Sequence, residues 1–171
     1  MLVGGASSRY GSPKALVELD GETLVDRARR ELGEVCAEVL VVGKAGELPF
    51  DVVDDAADVR APIAGVVAGL RAAANAVCVF LPVDCPRVTP GLLRTLGEAC
   101  RDAAVPQTAP LPGAWAKTAL PVLERRLTSG PYALYRTYDE LDVARLELDP
   151  ALLADVDTPA ALAALRRREG S

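Results

Sequence analysis

Residues 77–86 read VCVFLPVDCP: an unbroken apolar run, then a loop bounded by two prolines with a single carboxylate, Asp84, inside it. An apolar run this short and continuous, rich in valine, suits a strand covered on both faces, as in a parallel sheet flanked by helices. Asp84 then falls just beyond the carboxyl end of that strand. In open α/β sheets this is where ligands bind.

Working outward, the same alternation of strand and helix recurs. Val39-Leu40-Val41-Val42 is a strand ended by Gly43, Val52-Val53 is a shorter one running into Asp54-Asp55, and Arg145-Leu146-Glu147-Leu148 is a further strand near an edge. Between them, Leu24, Val25, Ala28 and Leu32 recur at helical spacing after an Asp20-Gly21 turn. Pro62 to Ala76 is an alanine-rich helix with Ile63, Val66, Val67 and Leu70 on one side. Thr89-Pro90 is a cap with proline at the first helical position, ahead of Leu92, Leu93 and Leu96, and Thr158-Pro159 repeats the signal before Ala160 to Arg168. The expected fold is α/β: one doubly wound, three-layer Rossmann-like domain over residues 1–171 with a mainly parallel sheet. Pro106 to Trp115, with four prolines in ten residues, is excluded from a central strand and expected to be an extended loop at the sheet edge. Trp115 then either plugs the core beneath that loop or touches a ligand.

Composition narrows the chemistry. A net charge of −5 with one dense basic run, Arg166-Arg167-Arg168, argues against a nucleic-acid-binding protein. The chain has no histidine, and Cys36, Cys78, Cys85 and Cys100 never reach a C-x-x-C spacing, so a zinc site and an imidazole-activated nucleophile are very poorly supported. Cys78 and Cys100 read as small core residues. No apolar stretch is long enough to span a bilayer, and the first thirty residues lack a signal-peptide core. The expectation is a soluble cytoplasmic protein, with no membrane partner and with a composition compatible with a monomer.

Four places on the expected rim carry chemistry. GGASSRYGSPK (residues 4–14) follows Leu2-Val3, Asp54-Asp55 follows Val52-Val53, Asp84 follows Leu81, and Asp155-Val156-Asp157 precedes the last helix. The glycine loop matches neither Walker A nor G-x-G-x-x-G. It nevertheless offers glycines for close backbone approach to an anion, hydroxyls at Ser7 and Ser8, and cations at Arg9 and Lys14. A plain turn with two solvated cations reads equally well from this loop alone. Asp84 suits an octahedral Mg²⁺ completed by phosphate and water, or an Asx turn before Pro86. Asp157 suits the same ion or a helix cap, while Asp54 and Asp55 are open to being ordinary loop acids.

Taken together, these segments resemble the nucleotidyltransferases similar to molybdenum cofactor guanylyltransferase. GGASSRYGSPKAL resembles their signature L-A-G-G-x-S-x-R-M-G-x-D-K-A-L, and Pro62-Ile63-Ala64-Gly65 their P-L-A-G helix start. Leu81 to Pro86 is similar to the C-D-x-P metal loop, Ala109 to Trp115 to a Q-P-L-P-A-L-Y segment on the acceptor side, and Asp155 to Pro159 to N-x-N-T-P. The resemblance covers almost the whole chain. It implies Mg²⁺-dependent transfer of a nucleoside monophosphate, GMP from GTP foremost, to a phosphorylated acceptor, molybdopterin foremost, with release of pyrophosphate. It implies further that Leu2, Val3 and Gly4 meet the base and that Gly5 to Gly11, with Ser7 and Gly11, wrap the triphosphate. Arg9 and Lys14 would neutralise its charge, Asp54 would lie near the nucleoside, Pro62 and Gly65 would border the nucleotide, and Asp84, with Asp157 assisting, would hold Mg²⁺. An acceptor phosphate is already an anionic nucleophile, which suits a chain without histidine.

The chain departs from the family pattern at Tyr10, Pro13, Asp155 and Asp157, which replace methionine, an acid and two asparagines. Only Met1-Leu2-Val3 precede the glycines where the pattern has a longer central strand, and the expectation from this is a start lying further upstream. Two other readings stand beside the first. One is a related transferase using CTP or another nucleotide, or acting on phospholactate or a sugar phosphate. The other is a nucleotide-binding regulatory or adaptor protein without turnover.

Overall fold

The computed structural model describes residues 1–3, 13–46 and 48–169. Along the described chain come β1 (Glu18–Leu19), β2 (Glu22–Thr23), α1 (Leu24–Gly33), β3 (Val42–Gly43), β4 (Val53–Asp54), α2 (Pro62–Ala72) and β5 (Val77–Phe80). They are followed by α3 (Pro90–Ala99), β6 (Ala103–Pro106), β7 (Gly113–Ala116), α4 (Leu120–Ser129), β8 (Val143–Leu146) and α5 (Pro159–Glu169).

Residues 1–3 join two half-sheets. Leu2 bridges in parallel to Val42 on one side and to Pro82, just past β5, on the other. Backbone hydrogen bonds make the seam: Leu2 N–H to Leu81 O (2.9 Å), Val83 N–H to Leu2 O (3.1 Å), Val42 N–H to Met1 O (2.9 Å) and Val3 N–H to Val42 O (2.9 Å). Parallel β3 and β4 lie on one side of the seam, and β5, β7, β6 and β8 follow in that order on the other. Strand β7 runs antiparallel to both neighbours, while β6 and β8 are parallel, so the sheet is mixed.

Alternate residues of these strands divide between two cores, as a pleated backbone requires. Met1, Val41, Leu81, Ala104 and Ala114 join a core built with α1, α3 and α5. Leu2, Val42, Phe80, Val105 and Trp115 join a second core built with α2 and α4. The result is the expected three-layer α/β arrangement. Two helix starts follow the sequence signals: Thr89 accepts from Leu92 N–H ahead of Pro90, and Thr158 accepts from Ala161 N–H; Thr23, which caps α1 by accepting from Asp26 N–H, is added by the structure. The Asp20-Gly21 turn, with φ of 53° and 81°, closes the β1–β2 hairpin.

The segment from Pro106 to Trp115 overturns its expectation. Pro106 ends β6, and Gly113, Ala114 and Trp115 open β7, an interior strand between β5 and β6. The prolines fall at the end of β6 and in the connection, so the ladder keeps its donors. Trp115 is fully buried in the second core and meets Tyr138 at 6.5 Å between ring centroids, so it plugs the core. Strand β6 escaped the sequence pattern because Ala103-Ala104 carries little β preference. Strand β8 begins at Val143, two residues earlier than the alternation at Arg145 suggested.

The β6–β7 connection leaves no space at Gly113. A Cβ there would lie 2.6 Å from the Pro110 carbonyl oxygen and 3.2 Å from that of Ala104. Gly113→Ala should therefore lower stability by about 1–3 kcal/mol, several degrees in Tm. At Gly33, the last residue of α1, a Cβ meets nothing within 4 Å. Gly33→Ala should leave Tm unchanged or raise it slightly. Thermal unfolding of the two variants beside the parent checks the pair, and a harmless Gly113→Ala would contradict the packing.

Candidate active site

The carboxyl ends of residues 1–3, β3, β4 and β5 share one rim, and three charged side chains meet there. Lys14 opens a single 3-10 turn, Lys14–Leu16, whose N-cap is Pro13. Leu16 N–H donates to Pro13 O (2.9 Å), and Ala15, 1 % exposed, anchors the turn in the first core. A proline suits this cap because its own N–H is not needed. With the turn fixed, the Lys14 side chain reaches two carboxylates: Nζ donates to Asp84 Oδ2 at 3.0 Å and to Asp157 Oδ1 at 2.6 Å.

Asp84 owes its place to the seam. Val83 N–H bonds Leu2 O, and a turn follows in which Cys85 N–H donates to Pro82 O (3.1 Å). Asp157 is brought in from the far end of the chain, because Val156 N–H donates to the Asp84 carbonyl at 2.8 Å and Val156 is buried in the first core. The two loops are thus zipped by one backbone bond. Burial opposes the charge on Lys14, but its bonds and attractions to Asp157 and Asp84 outweigh this, and the amine is raised above the ordinary lysine value. Asp155 is raised by burial and by the nearby charges of Asp157 and Asp84. The Cys85 thiol is raised strongly, first by burial and then by Asp84, and is inert at neutral pH.

Asp84 and Asp157 each place an oxygen on one ammonium, so their oxygens converge on a single cation position. Two hard oxygen donors with the remaining directions left to phosphate and water suit a hard divalent cation. Among the described residues no cluster of three or more His, Cys, Asp or Glu side chains is arranged to hold a metal by itself.

The other expected site residues are placed as follows. Leu2 and Val3 line the seam beside Gly43, where a Cβ would lie 2.6 Å from Val3 Cγ2. Asp54, exposed at the end of β4, accepts from Ala56 N–H (2.9 Å) in its own turn. Pro62 opens α2, and Gly65 is buried beneath Leu2, with a Cβ position 2.9 Å from Leu2 Cδ2. Gly4, Gly5, Ser7, Arg9, Tyr10 and Gly11 lie outside the described residues. A pairing that the sequence did not announce is Lys44, just past β3, with Asp55, just past β4. A cavity of about 430 Å³ lies at the opposite ends of the strands, against Leu40, Val77, Cys78 and Phe80, away from this rim.

The raised Lys14 amine fixes a pH window. A raised pKa contributes stability fully below the unfolded value near 10.5, and the contribution is lost as pH rises through the folded value. The stability advantage of the parent over Lys14→Met should hold from pH 7 to 9 and shrink above about pH 10.5. Thermal melts across that range check this, and a gap that does not change with pH would contradict it.

Comparison with known proteins follows the same geometry. Residues 1–144 match the family model described as MobA-like NTP transferase domain. A probable molybdenum cofactor guanylyltransferase of Opitutus terrae is 37 % identical over 150 residues, covering 80 % of this chain and 74 % of that protein. A second, from Pelotomaculum thermopropionicum, is 37 % identical over 113 residues, which is 63 % of this chain and only 55 % of that protein's length. The crystal structure of molybdopterin-guanine dinucleotide biosynthesis protein A from Archaeoglobus fulgidus superposes with a TM-score of 0.81 over 99 % of this chain and 96 % of that one. Its 24 % identity makes it evidence of shared fold alone. With the family match spanning most of the chain, this chain belongs to the MobA-like NTP transferase family.

Proposed function

We propose that the chain is a nucleotidyltransferase that moves GMP from GTP to the phosphate of molybdopterin and releases pyrophosphate. The observation that carries the reading is the meeting of Lys14, Asp84 and Asp157 on the rim beside Leu2 and Val3. The names of the relatives support the choice of guanylyl transfer and of acceptor. A bound Mg²⁺, held by Asp84 with Asp157, would draw charge from the phosphate oxygens.

The chain's own work is placement and charge. Leu2, Val3 and Gly4 offer backbone groups to the base, and Gly5 to Gly11, with Ser7 and Gly11, offer amides and hydroxyls to the triphosphate. Lys14, with Arg9, neutralises the charge that moves onto pyrophosphate as the α-phosphorus bond to it breaks. The acceptor phosphate attacks that phosphorus in line and is already ionised at neutral pH, so no side chain must remove a proton. Asp54 and the start of α2 at Pro62 and Gly65 border the nucleoside. We place the protein in the cytoplasm, a setting suited to its four free cysteines.

Three measurements test this. Pyrophosphate release with molybdopterin should be fastest with GTP. CTP preference would move the enzyme to a sister activity, and Mg²⁺-dependent NTP binding with no turnover on any acceptor would make it an adaptor. Lys14→Ala should lower kcat/KM by roughly a hundredfold or more, as loss of a charge stabiliser does, while the protein stays folded. Unchanged kinetics would remove Lys14 from the site. Asp84→Asn should weaken Mg²⁺-dependent GTP binding, read as a smaller rise in Tm on adding both. An unaltered metal dependence would return Asp84 to a turn-forming role.

A further inference from the structure

The position on which the Asp84 and Asp157 oxygens converge is held by an ammonium. Lys14 Nζ lies 3.0 Å from Asp84 Oδ2 and 2.6 Å from Asp157 Oδ1, while Asp84 Oδ1 faces the Cys85 thiol at 3.8 Å. A magnesium ion bound by the two converging oxygens would sit about 2.0–2.1 Å from each. Two cations bound to the same pair of oxygens at those distances would touch and repel. Lys14 and a divalent cation are therefore rivals for one place. The proposed chemistry nevertheless asks for both, the metal on the carboxylates and Lys14 on the phosphates.

Three features suit an exchange of one cation for the other. The two carboxylates are brought together by backbone, since Val156 N–H bonds the Asp84 carbonyl at 2.8 Å and the Val156 side chain is buried, so their meeting survives the departure of the lysine. The Lys14 backbone is fixed in its turn by Val17 N–H to Lys14 O (3.1 Å) and by buried Ala15, so departure needs rotation of a flexible four-carbon stem and no movement of the main chain. Lastly, the cluster is graded in exposure. The Lys14 side chain is 14 % exposed and that of Asp157 59 %, which opens the Asp157 side to an ion arriving from solvent. Charge favours the exchange as well, because an ammonium offsets one of the two carboxylates and a divalent ion offsets both.

We propose that Lys14 is a displaceable counter-ion as well as a charge stabiliser: before nucleotide binds, its ammonium keeps the place between Asp84 and Asp157, and it yields that place to a divalent cation when the phosphates of the nucleotide draw the ammonium away. The proposal rests on the nucleotidyltransferase reading above and gives its metal and its lysine a shared switch. Metal alone must expel the lysine from two carboxylates with no phosphate to receive it. Nucleotide alone meets a lysine that those carboxylates already engage. Each ligand removes the obstacle to the other, so the two bind as a coupled pair, and the coupling is reciprocal.

The test measures binding and not turnover. Mn²⁺ alone, followed through the free ion by electron paramagnetic resonance, should bind Lys14→Met roughly tenfold more tightly than the parent, within the usual range of such couplings. Lys14→Arg, whose fork also pairs with carboxylates, should stay close to the parent. The gain in Lys14→Met should persist in high salt, where a long-range effect of the lost charge would be screened. Adding α,β-methylene GTP, which cannot release pyrophosphate, should tighten Mn²⁺ binding by a larger factor in the parent than in Lys14→Met. An unchanged Mn²⁺ affinity in Lys14→Met, a gain that vanishes in high salt, or equal factors on adding the analogue would overturn the proposal. If Lys14→Met does not fold, crystal structures of the parent with and without Mn²⁺ and the analogue decide. Lys14 Nζ out of contact with Asp84 in the complex supports the exchange, and a bridge kept beside the bound metal defeats it. Failure of the parent itself to gain thermal stability from GTP and Mg²⁺ would instead defeat the nucleotidyltransferase reading.

Discussion

The backbone ladder through Leu2 is the constraint on which the rest of the molecule depends. Its bonds to Leu81, Val83 and Val42 join β3 and β4 to the four strands beyond β5. They do more than close a gap. By fixing register, they send Met1 and Leu2 to opposite cores, and they align the ends of neighbouring strands so that whatever follows each strand meets at one rim. Lys14, Asp84 and the Lys44–Asp55 pair all inherit their positions from that alignment.

On this rim the charges are arranged in short sets, each built around one lysine. Lys14 is shared by Asp84 and Asp157, and Lys44 answers Asp55. Such pairing suits the proposed binding of a polyphosphate, because Asp84, Asp157 and Asp55 each have a lysine ammonium beside them. It also suits a site without histidine. Where the nucleophile is ionised before it arrives, side chains need only hold, orient and offset charge, and lysine, arginine and aspartate are enough.

Much of this was legible in the residues, for identifiable reasons. The run at Val77 to Leu81 and the caps at Thr89-Pro90 and Thr158-Pro159 carry local signals strong enough to place β5, α3 and α5. Asp84 could be picked out because a lone acid directly after an apolar strand has a known address in this architecture. Strand β6 could not, since Ala103-Ala104 is paired by its neighbours and not by its own preference. Strand β7 was misread because the prolines around it were given more weight than the amides of Gly113 to Trp115. The meeting of Lys14 with Asp157, 143 residues apart, has no local signature at all. Lys44 was passed over for a similar reason: its partner is the carboxylate opposite, on a different strand end.

The bond from Val156 to the Asp84 carbonyl has a consequence for how the protein comes into being. Leu2 is synthesised before its partners at Val42 and Leu81, which follow dozens of residues later. The innermost strand therefore waits, apolar and unpaired, while the layers around it are still being made. The charge cluster waits longer still, until residues 156 and 157 arrive to pin the loop. A nascent chain can assemble most of its sheet and its second core before Lys14 has both of its carboxylates, because Asp157 arrives together with Val156 and the α5 side of the first core.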